Sequence, residues 1–156
     1  MIQIWTRNYI EKWHGISIRE NVVRMKLFVK IVTKKKKKKM TRINVGIPPA
    51  KLSTKHLIAE HREIKRIPNV VKSGRFSMDG QPKEFKLGTG HVKFFYDKLG
   101  YLKHRYISLY EECINRGFKV TNYINAWDDI PIDYMGEYQP TDRDVSIIVQ
   151  RIAERS

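Results

Sequence analysis

Between His91 and Arg116, apolar residues return every three or four positions: Val92, Phe95, Tyr96, Leu99, Leu102, Tyr106, Leu109, Tyr110, Cys113 and Ile114. That spacing lines one face of an α-helix, and Gly117 follows where a left-handed C-cap belongs. It predicts a helix over 91–116, with Thr89 available as its cap. A second pattern predicts a helix over 50–67, with Leu52, Leu57, Ile58 and Ile64 inward. Pro48-Pro49 can open that helix and Pro68 is expected to close it. His56, Glu60 and Glu63 stand four and three apart, near a common side. A third pattern, Val145, Ile148, Val149 and Ile152, predicts a helix over 141–155, with Thr141 as cap and Asp144 three residues on. Residues 41–47 read as an extended lead-in. Residues 69–90 and 127–140 read as irregular, rich in turn-forming residues. Three helices without a convincing sheet pattern predict an all-α, compact single domain of about three helices with irregular connections.

Charge divides the chain. It has 156 residues, enough for one domain with a sizeable core, and a formal net charge of +15. Residues 1–40 hold twelve Lys or Arg against two acids, a net of +10; residues 41–156 hold nineteen against fourteen, a net of +5. Basic charge points to a polyanionic partner, although it fits a ribosome-associated or simply well-solvated protein too. Lys34 to Lys39 is an unbroken lysine run before Met40. Such a run repels itself and is expected to be disordered, unless it serves as a basic arm on nucleic acid. Lysine codons are all purine, so an untranslated ribosome-binding region read as protein would look the same. We therefore expect translation to start at Met40, with 1–39 a basic extension or start-site misassignment and 40–156 the folded domain. One cysteine, Cys113, cannot form an internal disulfide and suits a reducing compartment. No apolar run is long enough to span a membrane, and the first residues do not read as a signal peptide.

Three stretches carry a family resemblance. Met40-Thr41-Arg42-Ile43-Asn44, His56-Leu57-Ile58-Ala59-Glu60-His61-Arg62-Glu63 and Gly88-Thr89-Gly90-His91-Val92-Lys93-Phe94-Phe95-Tyr96-Asp97-Lys98-Leu99 resemble motifs of the phage pyrimidine-dimer DNA glycosylases, the dimer-specific endonuclease V type. Arg116-Gly117-Phe118 follows at the matching distance. The resemblance covers 40–156. It departs from the best-known member in the 39 preceding residues and in an aromatic-rich tail that these 156 residues do not contain. The second difference is expected to bear on lesion affinity more than on chemistry.

The resemblance implies a repair enzyme that excises the 5′ base of a cyclobutane pyrimidine dimer and then cleaves the strand. It implies Thr41 as nucleophile through its α-amine, and Glu63 as the catalytic carboxylate. An α-amine has a pKa of about 7.7–8.0, so much of it is unprotonated near neutral pH. It can attack the sugar and form a Schiff base, after which β-elimination breaks the strand. Arg42, Arg62 and Arg66 are implied as phosphate clamps, Arg151 as a further contact, and His56 as a weaker DNA-facing residue. From residues alone, Thr41 is an ordinary residue and Glu63 a solvated one; the resemblance changes both. The implied partner is double-stranded DNA carrying UV damage, bound by a monomer without a membrane. The implied location is the cytoplasm of a bacterial or virus-infected cell, at the nucleoid. No cofactor or metal is expected, because His56, His61 and His91 lack a zinc-ligand spacing and Cys113 belongs to an apolar face. Two alternatives stay open: the same imine chemistry on abasic or otherwise damaged bases, and a basic DNA-binding protein without activity.

Overall fold

The computed structural model describes Val22, Val23, Met25, Lys26 and residues 41–155. The chain divides into two units, Met1–Lys39 and Met40–Ser156. The four described residues of the first are helical and exposed. The expectations of a disordered or untranslated 1–39, and of a start at Met40, otherwise fall outside the described residues.

In the second unit the apolar stripes become five α-helices: α1 (Thr54–Glu63), α2 (Arg66–Lys72), α3 (His91–Phe94), α4 (Leu99–Asn115) and α5 (Asp142–Ala153). Single 3-10 turns stand at Pro49–Lys51, Ile124–Trp127 and Ile132–Tyr134. Among the described residues there is no strand, only an isolated antiparallel bridge between Lys98 and Met135. The all-α class holds. The count of three does not, because two of the expected helices are each broken.

The first break lies at Ile64–Lys65, between α1 and α2. Pro68 does not end the element as expected; it is buried inside α2, which runs on to Lys72. It occupies the third helical position, where a backbone N–H has no intrahelical acceptor to lose. The second break lies at 95–98. There Gly136 N–H donates to Asp97 O at 3.1 Å, and Tyr101 N–H donates to Gly136 O at 3.1 Å. A Cβ on Gly136 would run into Asp97 O, so only glycine lets the two backbones approach this closely. Gln81 Nε2 and Lys98 Nζ donate to the Phe94 carbonyl at the end of α3. The cap of α3 is Gly90, in the left-handed region, rather than Thr89.

Other local signals act as expected. Thr141 and Asp144 form a reciprocal capping box at the start of α5. At the end of α4, Phe118 N–H reaches Cys113 O and Gly117 N–H reaches Ile114 O, a Schellman closure with Gly117 at φ +79°. Helix α1 packs on α4, and α4 also meets the turns at 49–51 and 124–127. Ile43, Leu57, Ile64, Ile67, Phe85, Phe95, Leu102, Leu109, Cys113 and Ile148 are all fully buried. Ile114 and Val149, assigned to apolar stripes, face solvent instead. No helix among the described residues is long and apolar enough to cross a membrane.

Candidate functional site

The site begins with a buried polar clamp on residues 43–47. Glu60, on the inner face of α1, accepts hydrogen bonds from Asn44 N–H (3.2 Å) and Asn44 Nδ2 (2.6 Å). It also accepts from Arg105 Nε (2.8 Å) and Nη2 (3.1 Å), reaching across from α4. Arg105 Nη1 donates to Ile47 O. Glu60 is 2% exposed and Arg105 8%, so this is an ion pair shielded from water. The resulting guanidinium–carboxylate fork is charge-assisted and bidentate, the stronger class of hydrogen bond.

His91, at the start of α3, makes the second hold. Its Nε2 accepts from Ile43 N–H at 2.9 Å, and its Nδ1 lies 2.8 Å from Lys86 O. An amide donor on one nitrogen and a carbonyl acceptor on the other require the neutral tautomer with the proton on Nδ1. Burial lowers the His91 pKa, with the Lys86 carbonyl opposing and the Arg42 charge adding to the shift. Thr41 lies two residues before this hold and is buried, 7% exposed.

Around the clamp, the residues singled out from the sequence fall into two groups. Glu63, 6% exposed at the end of α1, meets Arg66 Nη1 in an ion pair and lies 3.4 Å from Arg62 Nε. At the other end of α1, Arg42 feels the charge of Arg151, and His56 feels that of Arg42. Burial, then the charges of Arg155 and Arg151, pull the Arg42 guanidinium below its ordinary value, while Glu60 pushes it up. Burial, then Arg42 and Lys55, lower the His56 pKa. Arg151 also pairs with Glu154 at 3.1 Å. His56, Glu60 and Glu63 do share one side of α1, as their spacing implied. Seven residues at the helical rise set the two groups about 10 Å apart along the axis.

Four contributors were not picked out from the sequence. Asn44, Arg105 and His91 build the clamp, and Arg155 joins the Arg42 group. Arg105 had a readable signal, a charged residue inside the Leu102–Leu109 stripe. His61 lies outside the site: it is buried and packs on Tyr106, Tyr110 and Tyr123. Cys113 is buried in the core. No group of three His, Cys, Asp or Glu side chains is placed to hold a metal among the described residues.

The arrangement is a small helical domain with cations at both ends of α1 and a shielded carboxylate beside one set of them. Residues 40–125 match the family described as pyrimidine dimer DNA glycosylase. The chain belongs to that family.

Proposed function

We propose that the 40–156 unit is a DNA-repair glycosylase and abasic-site lyase acting on cyclobutane pyrimidine dimers in duplex DNA, with the α-amine of Thr41 as nucleophile. The observation that carries this reading is the double hold on Ile43 and Asn44. It fastens the chain two residues beyond Thr41 by backbone amides, which suits a segment whose leading nitrogen has to be aimed. The amine attacks C1′ of the 5′ nucleotide, and the bond from C1′ to the base breaks. The base leaves with a proton and stays tethered through the cyclobutane ring to its neighbour. The nitrogen now bound to C1′ expels O4′, which takes a proton and becomes the C4′ hydroxyl; the sugar ring opens and the resulting imine acidifies the C2′ hydrogens. Loss of a C2′ proton breaks the C3′–O bond and cuts the strand.

Glu63 is assigned the carboxylate role. It stabilises positive charge as the glycosidic bond breaks, and exchanges protons at the imine. Arg62 and Arg66, already beside it, take the phosphates flanking the lesion, with Arg42, His56 and Arg151 on the backbone about two α-helical turns away. Access to the sugar requires bending of the duplex or extrusion of a nucleotide. A dimer lowers that cost because its pairing and stacking are already weakened.

The chemistry requires Thr41 to lead the chain, since a peptide nitrogen cannot form the imine. The test is borohydride trapping on duplex DNA with a single thymine dimer, using protein that begins at Thr41 as confirmed by mass. A covalent adduct mapping to the Thr41 amine is expected. An adduct on abasic DNA alone would narrow the function to a lyase with another lesion preference. Absence of both would leave a binding protein without this activity.

A further inference from the structure

A cavity of about 290 Å³ opens along α2, lined by none of the residues assigned to the site so far. Lys65, Asn69, Lys72, Tyr123, Asn125 and Ala126 line it. Lys65, Asn69 and Lys72 stand four and three apart, so they form one stripe along α2. Arg62 lies three residues before Lys65, which brings this stripe up to the Glu63 ion pairs. The opposite wall is the Ile124–Trp127 turn. That wall is fixed from behind: Trp127 Nε1 donates to Leu99 O at 3.0 Å, and the Trp127 ring packs on Tyr106.

Both lysines are held in place rather than left to wander. The Lys65 ammonium sits 3.2 Å from the centre of the Tyr123 ring. Lys72 Nζ donates to Asn125 O at 3.2 Å. Hydrogen bonds from Thr121 and Lys65, then the charges of Lys65 and Arg62, lower the pKa of the Tyr123 hydroxyl. The lining thus has two anchored cations, two amide side chains and no carboxylate. Its aromatic ring already carries an ammonium, so it offers a counter-charge more readily than a stacking platform.

We infer that this cavity is a second phosphate subsite, where the DNA backbone leaves the reaction centre and runs along α2, held by Lys65 and Lys72 with Asn69 donating between them. The inference rests on the DNA reading above. The two cations are about 10 Å apart along the helix axis, room for a length of backbone rather than a single ion. Contacts of this kind position a duplex without reading its sequence.

The test is equilibrium binding of the full 156-residue protein to undamaged duplex DNA across a salt series. Lys65→Ala and Lys72→Ala should each flatten the plot of log affinity against log salt by about 0.9, and the double variant by about twice that. Lys72→Arg should keep the parent slope. Lys83→Ala removes the same charge from an exposed position elsewhere and should also keep it. An unchanged slope in the double variant, beside a parent that binds, would overturn the subsite alone. An equal loss in Lys83→Ala would overturn it too, reducing the effect to net charge. Failure of the parent to bind duplex DNA would remove the DNA reading and the subsite together.

Discussion

At the scale of single residues, most of the site's character comes from where α1 puts its polar groups. Glu60 and Glu63 are one turn apart and both buried, yet their surroundings differ. Glu60 is spent on Asn44 and Arg105, a structural task. Glu63 pairs with Arg62 and Arg66, whose side chains are 56% and 40% exposed. The two glutamates should therefore fail differently. Glu63→Gln should lower base release by at least about 100-fold while leaving lesion affinity within a few-fold, as measured by single-turnover release against a binding isotherm. An unchanged release rate would remove Glu63 from the chemistry. Arg62, Glu63 and Arg66 are reached through the resemblance of the 56–63 stretch and its neighbours to the glycosylase motifs; the residues alone leave Glu63 an ordinary solvated glutamate. Sequence reading passes over Arg105 and His91 because their partners lie 45 and 48 residues away, and a polar residue in an apolar stripe looks like an interruption.

At the scale of elements, the junctions matter more than the helices. Helical periodicity announced the apolar faces of α1, α4 and α5 but not the steps between α1 and α2 or α3 and α4. The second step is made by Gly136, about forty residues downstream, and no pattern local to 91–116 contains it. The joint between α1 and α4 is the Glu60–Arg105 pair, and it should be costly to halve. Arg105→Ala leaves a buried carboxylate facing only Asn44, and should destabilise the fold by about 3–5 kcal/mol in denaturant titrations. Thr141→Ala, which removes only the capping hydroxyl of α5, should cost about 1 kcal/mol. A smaller loss at Arg105 than at Thr141 would mean that the clamp is not holding the helices together.

At the scale of the whole unit, two buried imidazoles couple the fold to acidity. His61 and His91 are each 2% exposed, and burial is the main cause that lowers both pKa values from the ordinary 6.5. The unfolded chain then takes up protons near pH 6.5 while the folded one does not. Stability from these groups is complete above about pH 6.5 and is lost as pH falls from there through the folded-state values. Each contributes a slope of at most about 1.4 kcal/mol per pH unit within that window. Unfolding midpoints measured from pH 7 to 5 should fall with this dependence. His91→Gln should lose part of it, and a flat profile in the parent would mean that both rings accept protons without leaving their places.

The two holds on Ile43 and Asn44 also set a timescale. One comes from the start of α3 and the other from the middle of α1, and both pass through core side chains. The leading segment therefore has no hinge of its own and can lift only when the interior opens. Its amide protons at 43 and 44 should exchange with solvent as slowly as those in the middle of α4, despite standing at the edge of the folded unit. Rapid exchange there would describe a segment that frays independently. Slow exchange would describe a segment held in place for as long as the fold itself lasts.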